Sequence, residues 1–300
     1  MKWVGILLVS LFITGCGRNV MMDKITGTTE DQLKLELAPA PTMISTFIEP
    51  DLLTVLIDPK DTDFVRVKEY IPDMIEDLRY STDDNFTGQV IYDFKDVFLR
   101  YGTVMKLKAV SDELATQDLR LKIWDGFRPV SAQFKLWEIC PDSTYVADPN
   151  RGYSNHSRGF AVDVTLVDAQ GREVEMPTGF DDFSARADRD YSDCTQLQRD
   201  NAQLLESAME KHGFAGYQGE WWHFNDTKQY EVETCFDPAI ISRKCLKEET
   251  SLLETYWEPD SIILRIPSGA DVTLLGYQEE YALVEYWGYR GYVHSEHLTK

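Results

Sequence analysis

The stretch Ser154-Asn155-His156-Ser157-Arg158-Gly159-Phe160-Ala161-Val162-Asp163 decides the fold around it, because a polar turn runs directly into an apolar run. That run continues to Val167 as Phe-Ala-Val-Asp-Val-Thr-Leu-Val, and its β-branched content predicts a buried strand. An aspartate inside such a strand is costly to bury unless it is paired or binds a metal. Asp163 is therefore a candidate metal ligand, and the alternative is a salt bridge to an arginine such as Arg158.

A second segment, Glu220-Trp221-Trp222-His223, carries the other groups that metal chemistry would need. A hydrolytic zinc ion takes three protein ligands and keeps one position open for water. His156, Asp163 and His223 can supply the three ligands, and Glu220 can act as the general base. Each residue alone is weak support, because a single histidine is more often a core or surface residue than a ligand. The whole set points to one zinc ion per chain.

The second segment also sets a geometric condition. If Glu220 to His223 is extended, residues three apart point to opposite faces of the strand. Glu220 and His223 can then share one site only through a bend or a bulge.

The chain resembles the D-alanyl-D-alanine dipeptidases, the group that includes the vancomycin-resistance dipeptidase. The resemblance rests on Ser-x-His-x-x-Gly-x-Ala-x-Asp at 154–163 followed by Glu-Trp-Trp-His at 220–223. Other segments agree: Asp77-Leu78-Arg79-Tyr80, Asp84-Asn85-Phe86-Thr87-Gly88, Trp124-Asp125-Gly126-Phe127-Arg128-Pro129 and Met176-Pro177-Thr178-Gly179-Phe180-Asp181. The similarity covers roughly residues 64 to 238, and its motifs are specific in combination.

The resemblance implies a role for each motif residue. The family's zinc ligands fall on His156, Asp163 and His223, its catalytic base on Glu220, and its transition-state-stabilising arginine on Arg128. Family grounds alone add Ser154 as a substrate-binding residue. Two positions depart from the family pattern: Phe127 stands where tyrosine is common, which removes a polar group near the site, and Pro177 stands where glycine is common, which changes the path of its loop.

The region 63–238 is predicted to be the catalytic domain, with an α+β fold of helices on a small antiparallel sheet that carries the metal. Apolar periodicity predicts helices over Val104–Thr116, Pro129–Trp137 and Arg199–Lys211, and alternation predicts a strand over Leu119–Trp124. Arg128 then lies on a loop directly after a strand, a common place for catalytic groups. The alternative for Arg128 is a structural ion pair with Asp125.

The N-terminal residues predict export and anchoring. Residues 1–15 hold one lysine and an apolar run of about ten residues, which is the length of a signal-peptide core and too short to span a membrane. Ile13-Thr14-Gly15-Cys16 resembles a bacterial lipobox, so we expect lipidation of Cys16 and a membrane anchor facing the periplasm or exterior. A plain secretory signal and an incidental apolar N-terminus are the alternatives. Residues 16–62 are interpreted as a tether.

The C-terminal residues change character. After a connector at 239–257, four short strand-like runs with glycine-containing turns occupy 258–300. The end of the chain, Trp287 to Leu298, resembles a bacterial SH3-like barrel, which implies binding to cell-wall peptidoglycan. The alternative is a barrel that only packs on the catalytic domain. His294 and His297 are interpreted as surface residues, because no cysteine or carboxylate cluster lies near them in the sequence.

Composition limits the remaining possibilities. The 300-residue chain suits two domains, and its formal net charge of −21 argues against nucleic acid as a partner. Besides Cys16, four cysteines remain, for which three pairings exist. We favour Cys140 with Cys194 and Cys235 with Cys245.

These observations predict a zinc peptidase. The resemblance implies D-alanyl-D-alanine, or a related short D-amino-acid peptide from cell-wall material, as substrate. One alternative is a carboxypeptidase or endopeptidase that acts on larger peptidoglycan peptides. The other, from a different class, is a wall-binding lipoprotein whose peptidase domain is inactive.

Overall fold

The structure is a computed structural model that describes residues 56–300. Its helices are α1 (Val67–Tyr70), α2 (Tyr101–Ala115), α3 (Val130–Ile139) and α4 (Gln196–Lys211). Its strands are β1 (Phe64–Arg66), β2 (Ile75–Glu76), β3 (Phe98–Arg100), β4 (Leu119–Asp125), β5 (Ala161–Asp168), β6 (Phe214–Tyr217), β7 (Glu220–Asp226), β8 (Ser242–Cys245), β9 (Thr250–Leu253), β10 (Ile262–Ile266), β11 (Asp271–Gln278), β12 (Tyr281–Tyr286) and β13 (Tyr289–His294). The predicted signal peptide, Cys16 and most of the tether lie outside the described residues.

Among residues 56–300, no helix has both the length and the apolar character that crossing a membrane requires.

The first part of the chain is an α+β unit, as predicted. Its sheet has the order β2-β4-β5-β7-β6, with β2 parallel to β4 and every other pair antiparallel. The predicted strands over 119–124 and 160–167 are confirmed as β4 and β5. Every residue of β5 except the last is buried, so Asp163 lies in the interior of the sheet.

Helices α2 and α4 cover this sheet. Helix α2 packs against β4 and α4, and its buried residues Val104, Leu107, Val110 and Leu114 follow the predicted apolar stripe. Helix α4 begins three residues before the predicted start because Thr195 and Gln198 form a reciprocal capping box at its N-terminus. Loss of such a cap costs about 0.5–2 kcal/mol of stability. Helix α3 also matches its prediction, from Val130 to Ile139.

Two irregularities interrupt the ladders of this sheet next to the predicted site. Between β4 and β5 the pairing passes from Ile123–Val164 to Asp125–Asp163, so Trp124 is an extra residue. Between β6 and β7 it passes from Gly216–Phe224 directly to Tyr217–Glu220. Residues 221–223 therefore form the bend that the sequence requires between Glu220 and His223. Bulges of this kind commonly re-aim side chains beside active sites.

The C-terminal part is a six-stranded antiparallel sheet with the order β10-β9-β13-β12-β11-β8. The four predicted strand-like runs are confirmed as β10 to β13. The sheet begins earlier than residue 258, since β8 and β9 lie within the predicted connector. The edge strands β10 and β8 do not pair with each other in the described part of the chain, so the sheet does not close into a barrel. A C-terminal β unit is confirmed, and its SH3-like character stays a prediction.

An aromatic cluster joins the α+β unit to the C-terminal sheet: Phe64, Phe127 and Phe236 pack in one group with Leu275 of β11 and Leu283 of β12. Phe64 lies 4.4 Å from Phe127 and stacks on Phe236 at 4.8 Å between ring centroids. Such aromatic pairs contribute about 0.5–1.5 kcal/mol each beyond the area they bury. Phe127 therefore replaces the expected tyrosine at a position that is 1% exposed and packed among rings.

At Gly276 the backbones of the two parts approach each other closely. It forms a β-bridge with Phe236, and a Cβ atom at Gly276 would lie 1.7 Å from the carbonyl oxygen of Cys235. No side chain fits there without moving the backbone.

The predicted disulfides are wrong. Cys140, Cys194, Cys235 and Cys245 are free thiols in the structure. Cys235 is buried beside the aromatic cluster, whereas Cys245 ends β8 and pairs through its backbone with Asp271. Burial, with the nearby Glu233, raises the pKa of Cys235 to about 12.

Candidate metal centre and active site

Asp163 and His223 are brought together by the pairing of β5 with β7. They are directly opposite each other in the ladder, and the Nδ1 atom of His223 lies 3.0 Å from Oδ1 of Asp163. Asp163 is 3% exposed, so its carboxylate sits in the sheet interior, as the sequence predicts. Neighbours on adjacent strands hold their side chains within contact distance over a rigid backbone.

His156 reaches the same point from a short 3₁₀ turn, His156–Arg158, that precedes β5. Its backbone N–H donates to Oγ of Ser154 at 3.2 Å. The turn ends at Gly159, whose φ of +76° is a left-handed conformation that favours glycine. A Cβ atom at Gly159 would also lie 2.4 Å from the Phe64 ring. Both demands explain why the motif has glycine before its strand.

Hydrogen bonds on the far side of each imidazole determine which nitrogen carries the hydrogen. Nδ1 of His156 lies 2.8 Å from the carbonyl oxygen of Gly126, which can only accept, so the lone pair of the neutral ring is on Nε2. Nε2 of His223 lies 3.2 Å from Oδ1 of Asn225, an oxygen that also accepts from Asn155. Nε2 of His223 therefore donates, and its lone pair is on Nδ1.

Three electron-pair donors thus converge. Nε2 of His156 lies 3.2 Å from Nδ1 of His223 and 3.4 Å from Oδ2 of Asp163. Burial alone would raise the pKa of Asp163, but the neighbouring imidazoles outweigh it and hold that pKa below its usual range, so the carboxylate stays ionised. Donors this close need a positive charge between them.

Zinc fits this set. Zinc bonds to nitrogen and oxygen are about 2.0–2.2 Å long, so two ligands of a tetrahedral ion lie about 3.3–3.6 Å apart. The separation of 3.2 Å between the two imidazole nitrogens is close to that edge, as are the distances of 3.0 Å from His223 to Oδ1 of Asp163 and 3.4 Å from His156 to Oδ2. Each histidine also has the orienting hydrogen bond that is typical of metal ligands.

Glu220 lies beside the three donors rather than among them. Its Oε2 is 3.7 Å from Nδ1 of His223, across the bend in β7, and its side chain is 25% exposed. Burial raises the pKa of the Glu220 carboxyl, against the opposing effect of His223. A carboxylate with a raised pKa next to an open cavity is suited to take a proton from water.

Arg128 follows β4 and is buried with its guanidinium in a network. Nη2 donates to Oδ2 of Asp125 at 2.6 Å, Nη1 donates to Gln133 at 2.9 Å, and Nε lies within 3.3 Å of both Tyr92 and Asp125. The ion pair with Asp125 is therefore present, as the structural alternative expected. These contacts use three of the five guanidinium N–H groups and leave two.

These residues line one cavity of about 330 Å³, which Arg128, Ser154, Glu220 and the three converging side chains share. Sequence reasoning missed other members of its wall. Asp181 accepts a hydrogen bond from the Tyr80 hydroxyl at 3.0 Å, and burial, with the charge of Asp163, raises the Asp181 pKa well above its ordinary value. The sequence resemblance includes Asp181 in one of its motifs but assigns its carboxylate no role.

A buried His-Asp-His set with a neighbouring glutamate and an open cavity defines the class: a zinc metallopeptidase. The chain belongs to the D-ala-D-ala dipeptidase family, whose model matches residues 60–240. The match ends before β8, so the C-terminal sheet lies outside it.

Two curated relatives are similar to this region. The D-alanyl-D-alanine dipeptidase of Escherichia coli strain K12 is 37% identical over 163 residues, which are 54% of this chain and 84% of that protein. The D-alanyl-D-alanine dipeptidase of Enterococcus faecium is 32% identical over 181 residues, with coverage of 54% and 90%. A solved vancomycin-resistance D,D-pentapeptidase with Zn(II) is 14% identical over 44% of this chain and 74% of that chain, at a TM-score of only 0.31.

Proposed function

We propose that this chain hydrolyses D-alanyl-D-alanine, or a related short D-amino-acid dipeptide released from cell-wall material. One observation carries the proposal: ligand atoms of His156, Asp163 and His223 converge beside Glu220 in a cavity that opens to solvent. The names of the curated relatives supply the substrate class. When bound, zinc would act as a Lewis acid toward water and the scissile carbonyl.

Glu220 is proposed as the general base. It is close enough to the donor set to accept a proton from the attacking water. The same carboxyl then passes the proton to the leaving amine, so the base is regenerated. Its partial burial keeps bulk water from competing for that proton, and its raised pKa reduces the cost of holding it.

Arg128 is proposed to stabilise the negative charge that develops on the carbonyl oxygen. Two of its N–H groups remain after its bonds to Asp125, Gln133 and Tyr92, and its side chain lines the cavity. The network fixes the guanidinium before substrate arrives, which is the condition for electrostatic stabilisation without reorganisation. Ser154, whose Oγ also lines the cavity, is proposed to help hold the substrate.

The size of the cavity favours a small substrate over a long one. At about 330 Å³ it lies at the lower end of the range of about 300–1,000 Å³ typical of small-molecule sites. Larger peptidoglycan peptides would have to extend beyond it, past the exposed ring of Tyr145 at its rim. The cavity therefore favours a dipeptidase over a carboxypeptidase or endopeptidase, which remains the second candidate function.

The test is hydrolysis of four substrates by the purified chain, with and without a chelator. We expect release of D-alanine from D-alanyl-D-alanine, little from L-alanyl-L-alanine, and recovery of the chelated enzyme on adding Zn²⁺. A stem pentapeptide and a muropeptide distinguish the second candidate. If those two are cleaved and the free dipeptide is not, the dipeptidase assignment is wrong. If none is cleaved, the non-catalytic wall-binding alternative gains support.

We propose further that Cys16 carries lipid, which anchors the enzyme to a bacterial membrane, and that the C-terminal sheet is an SH3-like unit that contacts the cell wall. The lipobox-like Ile13-Thr14-Gly15-Cys16 supports the first proposal, and the exposed rings of Trp257 and Trp287 support the second. Metabolic labelling with a fatty acid, compared between the natural chain and Cys16→Ser, tests the anchor. Co-sedimentation with isolated peptidoglycan, with Trp287→Ala as the variant, tests the wall contact.

A further inference from the structure

We propose a second metal site in the C-terminal sheet, formed by His294, Glu296 and His297, with the Glu248 carboxylate beside His297. The site would bind a divalent transition metal of the zinc class, since imidazole and carboxylate donors together suit such ions. The site lies outside the region that the family model covers and is independent of the proposed hydrolysis.

The donor separations suit a single ion. Nδ1 of His294 lies 3.3 Å from Oε1 of Glu296, and Nε2 of His297 lies 3.7 Å from that same oxygen. Oε1 of Glu248 lies 3.2 Å from Nε2 of His297. These distances are close to the edge of about 3.3–3.6 Å expected between ligands of a tetrahedral zinc ion.

Each imidazole presents one nitrogen to this point. Nδ1 of His297 contacts the Thr250 hydroxyl at 2.8 Å, which orients the ring and directs Nε2 toward the two glutamates. Nδ1 of His294 is buried, and the contact with Oε1 of Glu296 at 3.3 Å does not have the geometry of a hydrogen bond. A metal ion at the proposed point would bind both atoms.

The sequence interpretation of these histidines as plain surface residues assumed that no carboxylates were near. The fold removes that premise. Lys247 donates through its backbone to the carbonyl oxygen of His297 at 2.8 Å, which brings the turn after β8, with Glu248, against the turn after β13. Glu280, from the turn between β11 and β12, lies 3.5 Å from Nε2 of His294.

Charge favours a cation at the same place. Three carboxylates, from Glu248, Glu280 and Glu296, surround the two imidazoles. Lys247 uses its ammonium group on the backbone oxygen of Glu296 at 2.7 Å. A bound ion would fix the turn after β13, next to the turn after β8.

The experiment counts metal ions in the purified full chain. Protein stripped by a chelator is dialysed against low micromolar free Zn²⁺, and zinc per chain is measured by elemental analysis. We expect two ions in the natural chain, one in His294→Ala, one in His223→Ala, and none in the double variant. The matched control is His212→Ala, which removes an imidazole–carboxylate pair with Glu113 and should keep both ions.

Glu296→Gln guards against misfolding, because its side chain is 71% exposed and the change preserves its shape. It should also bind only one ion, while His294→Ala and Glu296→Gln keep the natural turnover. One zinc in the natural chain, with the same value in His294→Ala and none in His223→Ala, would overturn the second site while leaving the catalytic proposal intact. If the natural chain bound two ions but did not hydrolyse D-alanyl-D-alanine, the catalytic proposal would be wrong and the second site would stand.

Discussion

The two His-carboxylate groups of this chain differ in what holds them. His156, Asp163 and His223 lie in or beside adjacent strands of the five-stranded sheet, and each imidazole has an internal hydrogen bond. His294 and His297 lie at the end of a strand and in the turn that follows, and their carboxylate neighbours are 66–83% exposed. Both groups have spacing that suits a metal, but the first lines a cavity together with the partly buried Glu220 and with Arg128.

The difference separates catalysis from simple binding. A buried, pre-oriented donor set strengthens every electrostatic interaction in the site, because little water screens it. A donor set on exposed turns competes with water at each carboxylate, since its carboxylates are 66–83% exposed. We therefore assign chemistry to the strand site and a structural role to the turn site. Three experiments test that division, and a fourth tests the junction between the two regions.

The largest expected effect comes from removing a ligand. His223→Ala should abolish measurable turnover, because one of the three donors is lost and Asp163 loses its partner. The decrease should exceed the about 10- to 100-fold loss that is typical when only an orienting partner is removed. Steady-state kinetics on D-alanyl-D-alanine measure it, with His294→Ala as control. Equal losses in both variants would contradict the division of roles.

Removing the proposed base should come next. Glu220→Gln keeps the size of the side chain and should lower kcat by about 100- to 10,000-fold, the usual contribution of general acid–base catalysis. Zinc content should not change, since Glu220 is not among the converging donors. Glu210→Gln, on the exposed side of α4, is the matched control. A natural rate in Glu220→Gln would end the general-base assignment.

Smaller effects should follow from the residues that orient one imidazole at each site. Asn225→Ala removes the acceptor for His223, and Thr250→Val removes the hydroxyl that contacts His297. Each substitution should lower the affinity for zinc by about 10- to 100-fold, and only at its own site. Competition with a chromophoric chelator measures both affinities, and Asn201→Ala serves as control. Coupled losses at both sites would show that they are not independent.

The smallest effect concerns the junction between the two regions. Because the pKa of Cys235 is raised to about 12, only about 10⁻⁴ of it is thiolate at pH 8, and its side chain is buried. Alkylation followed by peptide mass spectrometry should label Cys140 and Cys245 first and Cys235 much more slowly in the folded chain. Raising the pH should increase the rate of Cys235 labelling, because the thiolate fraction rises. Equal labelling at pH 8 would mean that the aromatic cluster opens readily.

Much of the strand site could be predicted from the sequence, because its motifs are local. The run from Phe160 to Val167 has the composition of a buried strand, so an aspartate at its centre requires a partner. The demand for a bend between Glu220 and His223 came from strand geometry alone, and the break in the β6–β7 ladder meets it.

The residues that were missed depend on contacts between distant parts of the chain. Asp181 reaches the cavity through a contact with Tyr80, about a hundred residues away. Glu248 approaches His297 only because two turns of the C-terminal sheet pair with each other. Strands β8 and β9 are short and β8 is polar, so neither has a clear period-two pattern. The cysteine count, in turn, contains no information on distance, and the predicted pairs failed for that reason.

The contact at Gly276 has a practical consequence for shortening this protein. The C-terminal sheet covers Phe64, Phe98 and Phe127. A fragment that stops at residue 240 would therefore expose an apolar surface to water. Such a fragment would self-associate in preparation, even though it retains every motif of its family.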